Sequence, residues 1–188
     1  MNRAIFLDRD GVLSRAMIRD SKPYPPASVE ELEILPGVVE ACTRLQKAGF
    51  LLIVVTNQPD VARGTQRREV VEEIHEVLQA QLPVDDIRVC YHDDTDDYPC
   101  RKPRPGLILE AAREWRVDLA ASFLVGDRWK DIEAGRRAGC RTVFIDHNYN
   151  EPRPESPDYQ ADSLAEAVDW ILQHIPSEEV ERWKAWQI

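Results

Sequence analysis

An abrupt change from apolar to acidic residues near the N-terminus limits the possible folds more than any other part of the sequence. The run is Ala-Ile-Phe-Leu-Asp-Arg-Asp-Gly-Val, over residues 4–12. Four consecutive apolar residues suit a strand that is buried on both faces of a parallel sheet. Alternation along extended chain predicts that Asp8 and Asp10 point the same way and that Arg9 points away. Two acids in one small space favour a hard cation such as Mg²⁺, and a solvated acidic turn stays open as the alternative.

The remaining sequence alternates apolar runs with helical patterns. Further apolar runs predict strands, and apolar spacing of 3–4 residues predicts helices. The predicted strands are 50–55, 87–90, 122–125 and 141–145, and the predicted helices are 36–47, 66–81, 106–115, 131–138 and 163–175. Because this alternation is typical of a doubly wound sheet, we predict an α/β protein with a three-layer α/β/α, Rossmann-like parallel sheet.

Two segments depart from the alternation. Residues 14–33 contain three prolines and scattered charges, which predicts an irregular flap over the site. Residues 90–101 form an Asp-rich loop insertion with a proline. We predict one domain over residues 1–175 and a C-terminal tail over residues 176–188, whose Trp183 and Trp186 suit either packing onto the domain or an oligomer contact.

Charge and hydropathy exclude several classes of partner. The chain has 34 acidic and 24 basic residues, a formal net charge of -10, and no Lys/Arg cluster that would track a phosphate backbone. It begins directly with the first strand and has no apolar run of 18 residues. We therefore expect a cytoplasmic protein, monomer or small homo-oligomer, that binds neither nucleic acid nor a membrane.

Four cysteines must be assigned roles. In a cytoplasmic chain of this size they argue against a disulfide framework, so each is a core residue, a ligand or a nucleophile. Cys42 and Cys140 lie in apolar contexts typical of a core, whereas Cys90 and Cys100 flank the loop insertion.

Polar residues follow successive strands in an order that indicates one shared site. The carboxyl ends of parallel strands converge on one edge of the sheet, so these residues are predicted to meet there. Each also has a structural explanation, as a turn cap, a surface lysine or a helix N-cap. The set comprises Asp8 and Asp10 after the first strand, Thr56 and Asn57 after the second, Arg101 and Lys102 after the loop, and Asp127 and Asp131 after the fourth strand.

These motifs resemble the haloacid dehalogenase-like (HAD) phosphohydrolase superfamily, which has DxDG, a strand-ending Ser or Thr, a Lys and GDxxxD in this order. Longer segments are similar to its D,D-heptose 1,7-bisphosphate phosphatase and histidinol-phosphatase branch, namely residues 6–11, 55–58, 62–64, 90–92 and 100–103. The resemblance implies a Mg²⁺-dependent phosphatase for a small phosphorylated sugar, with D-glycero-D-manno-heptose 1,7-bisphosphate preferred. A histidinol-phosphate phosphatase and a catalytically silent sugar-phosphate-binding protein stay open.

The resemblance also implies roles for the acids. Asp8 would be the nucleophile that forms an aspartyl-phosphate, and Asp10 would protonate the leaving oxygen and then activate water. Asp8, the carbonyl of Asp10 and Asp127 would hold Mg²⁺, and Asp131 would support that metal site.

The other matching residues would bind the substrate. Thr56 and Asn57 would hold the phosphoryl oxygens, and Lys102 would balance their charge. Arg63 and Arg101 would contact the substrate near the entrance, where a guanidinium pairs well with a second phosphate. Positioning and charge neutralisation of this kind are what phosphoryl transfer requires.

The chain leaves no room for a cap domain. The flap has about 20 residues and residues 58–101 number 44, which suffices for one helix and one strand. Specificity would then come from the short loops, and one of them departs from the branch pattern. Gln-Pro-Asp-Val at residues 58–61 replaces the usual Gln-Ser-Gly-Ile, which stiffens the loop and adds a charge beside the pocket.

A receiver domain of a signalling protein is a rival from another class, because it also collects acids, a Thr and a Lys at a sheet edge. Its phospho-acceptor lies on the central strand, where this chain has Thr56 and Asn57 and no Asp. The pattern therefore favours the phosphatase.

A zinc site is the last expectation. The branch usually holds structural Zn²⁺ through Cys-x-His and Cys-x-Cys, and Cys90, His92 and Cys100 match three of those ligands. Tyr98 stands at the fourth position, and a phenol is a poor zinc ligand at neutral pH. We therefore predict that the protein carries no stoichiometric zinc and that Tyr98 packs into the vacated space.

Overall fold

A computed structural model of the chain describes residues 1–19 and 21–175. Eight strands and five α-helices alternate along it. The strands are β1 (Arg3–Leu7), β2 (Met17–Arg19), β3 (Lys22–Tyr24), β4 (Phe50–Asn57), β5 (Asp86–Cys90), β6 (Phe123–Gly126), β7 (Arg141–Ile145) and β8 (Tyr159–Ala161). The helices are α1 (Val38–Lys47), α2 (Arg68–Gln81), α3 (Gly106–Trp115), α4 (Trp129–Ala138) and α5 (Leu164–Gln173).

Alternating side chains of β1 enter two cores on opposite faces of the sheet. Ile5 and Leu7 pack in a core with residues of α1, α2 and α5. Ala4 and Phe6 pack in a second core with residues of α3 and α4. All four side chains are fully buried, and burial of a side chain such as Leu or Phe contributes about 1.5–3 kcal/mol to folding. The predicted three-layer architecture is confirmed.

The sheet has six strands in the order β5-β4-β1-β6-β7-β8, and all of its pairs are parallel. From β1 the chain builds β4 and β5 on one side, and then returns to build β6, β7 and β8 on the other. The strand order therefore reverses between β1 and β6. In open α/β sheets the ligand crevice lies at the carboxyl ends of the strands flanking such a reversal.

One sheet strand was missed by the sequence interpretation. β8 has three residues and pairs with β7 through Val143 and Tyr159. A run of three residues is too short for periodicity to identify. Helix α4 also begins at Trp129, two residues before the predicted start at Asp131.

The flap prediction needs a correction, because residues 14–33 are not wholly irregular. β2 and β3 form an antiparallel hairpin in which Met17 pairs with Tyr24 and Arg19 pairs with Lys22. Ladder pairing is possible despite Pro23 because this two-stranded sheet offers a free edge for a residue that lacks an N–H.

The absence of a disulfide, expected from the cysteine content, is also corrected. A disulfide joins Cys90, at the end of β5, to Cys100. The intervening loop brings the chain back to the strand end, so the two Cα atoms lie 5.6 Å apart, within the usual range for a disulfide. Cys42 and Cys140 are buried free thiols, as expected for core residues.

No helix in the described part of the chain is long and apolar enough to cross a bilayer. Between residues 58 and 101 the structure has α2, β5 and a short 3-10 turn at Asp94–Asp96, with no separate cap domain among these described residues. The tail with Trp183 and Trp186 lies outside the described residues, and its predicted role and the proposed domain boundaries stay predictions.

Candidate active site

Three buried carboxylates converge at the reversal between β1 and β6. Asp8 directly follows β1, and its backbone N–H donates to the Val125 carbonyl of β6 at 3.0 Å. Asp127 follows β6, and Asp131 lies in the first turn of α4. The three residues are 7%, 2% and 2% exposed, and one carboxylate oxygen of each lies within 4.8 Å of those of the others. We call Asp8, Asp127 and Asp131 the carboxylate trio.

Two glycines make this approach possible. Gly11 has a φ of +88°, and a Cβ there would lie 1.9 Å from Oδ2 of Asp127. A Cβ on Gly126 would lie 2.2 Å from the Cβ of Asp131. Both positions therefore require the absence of a side chain for the trio to close.

Lys102 is the cation of this cluster. Its Nζ donates to Oδ1 of Asp8 at 2.7 Å and to the Val55 carbonyl at 2.7 Å, and it lies 2.6 Å from Oδ1 of Asp131. The Asn57 side chain fixes its backbone, accepting from the Lys102 N–H and donating to the Lys102 carbonyl, both at 3.2 Å. The end of β4 thus positions the lysine that the loop delivers.

The three acids of the trio carry more negative charge than Lys102 alone can balance. Burial raises the pKa of Asp8 to about 6, with Lys102 opposing and Asp131 adding to the shift. Burial, and then Asp8 and Asp131, also raise the pKa of Asp127 well above its ordinary value. Burial works against the Lys102 ammonium, but the two acids outweigh it and raise its pKa. One lysine therefore does not neutralise three buried acids.

Asp127 identifies what the cluster is built to bind. Both of its carboxylate oxygens are buried, and neither accepts a hydrogen bond from any residue that the structure describes. The Tyr149 hydroxyl favours the charged form of this carboxylate, but burial and the neighbouring acids outweigh it and raise the pKa of Asp127. A buried carboxylate without a partner costs several kcal/mol, about 3 or more, unless a cation compensates it. The donor set fits a hard divalent cation with oxygen ligands.

Asp10 lies in the same pocket as Asp8 but outside the close trio. Its carboxylate accepts from Nε and Nη2 of Arg9 at 3.1 and 2.8 Å, and from Gln58 Nε2 at 3.0 Å. The expectation that Arg9 points away from the acids is therefore wrong. β1 ends at Leu7 and residues 9–14 form a tight turn, in which the Leu13 N–H donates to the Arg9 carbonyl at 2.9 Å, so strand alternation no longer applies.

Two polar residues of this site escaped the sequence interpretation. Gln58 is 1% exposed and its Nε2 also donates to Oγ1 of Thr56 at 2.9 Å. His75 is 7% exposed on α2, and its Nε2 lies 2.9 Å from Nη1 of Arg9. The sequence pattern that could have identified His75 is its position next to Ile74 on the apolar face of a helix. Such a position usually holds a core residue.

The carboxylate edge opens into a pocket of ≈ 200 Å³ that is continuous with solvent. Thr56 and Asn57 from the end of β4 line it beside Asp8 and Lys102. Strand β3 and the residue after it add Lys22 through Pro25 to the pocket lining.

Arg63 and Arg101 also line the pocket, and both are paired with acids of the loop insertion. Arg63 donates to Asp93 through Nε at 2.9 Å and Nη2 at 2.5 Å. Arg101 is only 8% exposed and contacts Asp94 at 2.8–2.9 Å. Lys130 lies 3.0 Å from the same Asp94 carboxylate. Several cations are therefore held at the pocket wall by carboxylates.

The predicted zinc ligands Cys90, His92 and Cys100 do lie together, with donor atoms within 4.8 Å of one another. The two cysteines are joined by the disulfide, and the Tyr98 ring stacks on the His92 ring at 3.5 Å. Three protein donors leave one tetrahedral position without a ligand, which does not match a closed structural zinc site.

Comparison with known proteins identifies the family of this chain. A model of the HAD-hydrolase-like family matches residues 99–167. A D-glycero-beta-D-manno-heptose-1,7-bisphosphate 7-phosphatase of Helicobacter pylori is 33% identical over 90% of this chain and 97% of its own length. The corresponding enzyme of Thermosynechococcus vestitus is 31% identical over 92% of this chain and 96% of its own. The chain belongs to the HAD-like phosphatase family.

The fold of this phosphatase is also similar to that of a solved structure. D,D-heptose 1,7-bisphosphate phosphatase of B. bronchiseptica, complexed with magnesium and phosphate, superposes with a TM-score of 0.78 at 32% identity. The match covers 91% of this chain and 98% of the other. The phosphatase is thus an enzyme that hydrolyses phosphoric monoesters and has a HAD-like sheet.

Proposed function

We propose that this phosphatase hydrolyses D-glycero-D-manno-heptose 1,7-bisphosphate through an aspartyl-phosphate on Asp8, with Mg²⁺ as cofactor. The observation that carries the proposal is the carboxylate trio with Lys102, because Asp8, Asp131 and Lys102 line a pocket whose wall holds further cations. Relatives named for this substrate support the choice of sugar.

The metal site would consist of Asp8, Asp127 and the backbone carbonyl of Asp10, with Asp131 in support. The unpartnered oxygens of Asp127 are the observation that favours a cation here. Bound Mg²⁺ would offset the negative charge of the phosphoryl oxygens and of the carboxylate that approaches them.

Asp8 is the proposed nucleophile. Lys102 holds its Oδ1 at 2.7 Å, which fixes the carboxylate and lowers the repulsion between it and a phosphate dianion. In the first step a bond forms between an Asp8 oxygen and phosphorus while the bond from phosphorus to the sugar oxygen breaks.

Asp10 is the proposed acid and base. Its proton passes to the sugar oxygen as that oxygen leaves, and the resulting carboxylate then takes a proton from water. The water oxygen attacks phosphorus, the bond to Asp8 breaks, and inorganic phosphate is released. Asp10 is suited to this role because part of its side chain, 16%, is exposed to the pocket.

Thr56 and Asn57 are proposed to hold the phosphoryl oxygens. The Thr56 hydroxyl accepts from Gln58, which leaves its own proton free to be donated. Asn57 contributes in addition by fixing the backbone of Lys102.

The second phosphate is proposed to bind at Arg63 and Arg101. Asp94 lies between Arg101, Lys130 and Arg63, at 2.8, 3.0 and 3.6 Å respectively. Because guanidinium groups pair with phosphate as well as with carboxylate, a substrate phosphate could replace Asp94 as the partner of these cations. A substrate with one phosphate, such as histidinol phosphate, would leave them with the carboxylate.

Substitution at the arginines tests the substrate. We expect Arg101→Met to lower kcat/KM for the heptose bisphosphate by about tenfold or more and Arg63→Met by a smaller factor, because each removes a charge-assisted contact. Turnover of heptose 7-phosphate should change little. The matched control is Arg104→Met in the same loop, since Arg104 is paired with Asp97 and does not line the pocket.

Three results would contradict the substrate assignment. The first is that the wild type hydrolyses histidinol phosphate as efficiently as the heptose bisphosphate. The second is that Arg101→Met loses as much kcat/KM on heptose 7-phosphate as on the bisphosphate. The third is that the protein shows no Mg²⁺-dependent hydrolysis of any phosphorylated sugar. The last would leave a silent sugar-phosphate-binding protein.

For zinc, we predict less than one tenth of an equivalent, roughly, in protein purified under reducing conditions, because only three suitable donors surround the site. Chelators should leave the melting temperature unchanged. Tyr98→Cys supplies a third thiol as the fourth ligand and should take up one zinc per chain, which makes it the positive control. One tightly held zinc in the wild type by elemental analysis would show the prediction wrong.

A further inference from the structure

Arg9 is the largest fully buried side chain of the protein's described residues, although it carries a permanent charge. Its 0% exposed guanidinium uses Nε and Nη2 on the two oxygens of Asp10, at 3.1 and 2.8 Å. This two-point contact fixes the plane of the carboxylate as well as its position. Within the described part of the chain, Asp10 is the one acid that forms a salt bridge with Arg9.

The third nitrogen of the guanidinium has a partner from a different element. Nη1 of Arg9 lies 2.9 Å from Nε2 of His75, on α2. Because a guanidinium can only donate, Nε2 must accept and the ring must be neutral. Burial and the Arg9 charge lower the pKa of His75 to about 4, which agrees with a neutral ring at pH 7.

The neutral His75 ring is well suited to accept from Nη1 of Arg9. A second carboxylate would compete with Asp10 for the guanidinium, whereas an apolar residue would leave a buried N–H unsatisfied at a cost of about 1–3 kcal/mol. Histidine satisfies Nη1 without competing with Asp10 for the guanidinium. The helix α2 thereby determines the orientation of a residue at the pocket edge.

We propose that His75 and Arg9 form a buried positioning pair that holds the Asp10 carboxylate in the orientation from which it protonates the leaving group. The inference rests on the proposed function, in which Asp10 is the acid. His75 does not line the pocket, and it acts through Arg9.

Loss of the positioning pair should slow the hydrolysis of alkyl and aryl phosphate esters to different extents. An alkyl oxygen, as in a sugar phosphate, needs a proton as it departs, whereas 4-nitrophenolate leaves readily without one. Misplacing Asp10 should therefore slow transfer from alkyl esters far more than transfer from 4-nitrophenyl phosphate. A loss of fold or of metal binding would slow both esters equally.

The experiment measures kcat/KM, which reports the steps up to formation of the aspartyl-phosphate, for a sugar phosphate and for 4-nitrophenyl phosphate. His75→Leu removes the acceptor at similar size, and His75→Gln retains an acceptor oxygen. We expect His75→Leu to lose at least about ten times more activity on the sugar phosphate than on the aryl ester. His75→Gln should recover most of that loss, and Ile74→Val on the same helix should lose equally little on both esters.

The inference is overturned by equal losses on the two esters, by no loss, or by His75→Gln behaving like His75→Leu. Measuring the Asp10→Asn variant distinguishes an error in the positioning pair from an error in the proposed function. If Asp10→Asn hydrolyses the sugar phosphate at the wild-type rate, Asp10 is not the acid and the proposed mechanism fails. If Asp10→Asn shows the unequal loss and His75→Leu does not, only the positioning pair is wrong.

Discussion

Replacing Asp8 with asparagine is expected to reduce turnover by about a thousandfold or more, because the amide cannot attack phosphorus. The fold should persist, since asparagine has nearly the same shape and Lys102 retains Asp131 and the Val55 carbonyl as partners. Steady-state kinetics on the heptose bisphosphate with saturating Mg²⁺ measures the loss, and circular dichroism monitors the fold.

Asp86→Asn is the matched control for this change. Asp86 begins β5 at the opposite end of the sheet and pairs with Arg88 at 2.7 Å, away from the pocket. We expect it to retain wild-type turnover. If Asp8→Asn kept more than a few per cent of the rate, roughly, covalent catalysis by Asp8 would have to be abandoned.

Lys102→Met is expected to have the second largest effect, on both stability and activity. It removes the cation from the trio while Asp8 and Asp131 remain buried, and breaking a buried pair in this way costs about 3–5 kcal/mol. Denaturant unfolding at pH 7 with EDTA should show this decrease in the free energy of unfolding. Added Mg²⁺ should stabilise the variant more than the wild type, because the uncompensated acids then bind the cation more tightly.

The loss from Lys102→Met should depend on pH. The pKa of Asp8 is about 6 in the folded protein against 3.8 ordinarily, so a proton is bound more readily in the folded state. Lys102 lowers this pKa, so its removal raises the pKa further, and in the variant the cost of burying the Asp8 charge decreases as pH falls below the raised pKa. We expect the destabilisation to be smaller at pH 5 than at pH 7. Lys130→Met, at a more exposed cation, should change stability by less than about 1 kcal/mol, and equal stability of Lys102→Met and wild type would contradict the role of Lys102.

The sequence alone predicted the helices and strands in which apolar residues form a clear run or recur at regular spacing. The apolar runs of β1, β4 and β6 are buried on both faces, which is why their ends could be identified and why Asp8, Thr56 and Asp127 were expected at one edge. Parallel topology then brings strand ends together regardless of side-chain detail.

Contacts that depend on three-dimensional packing could not be read in the same way. The partner of Arg9 is set by a tight turn and by a histidine 66 residues away, and neither leaves a periodic signal. The Cys90–Cys100 disulfide depends on how the loop returns to β5, which ligand spacing alone did not reveal. The hairpin of β2 and β3 was hidden by Pro23, which argues against a central strand but not against an edge.

The most direct test of the proposed mechanism is to trap the aspartyl-phosphate. The enzyme is quenched during turnover of the bisphosphate with Mg²⁺, reduced with borohydride, digested and analysed by mass spectrometry, since reduction converts an acyl phosphate of aspartate to homoserine. We predict homoserine at position 8 only when substrate and Mg²⁺ are both present. An unmodified Asp8 under these conditions, or a modified residue at another position, would contradict catalysis through Asp8.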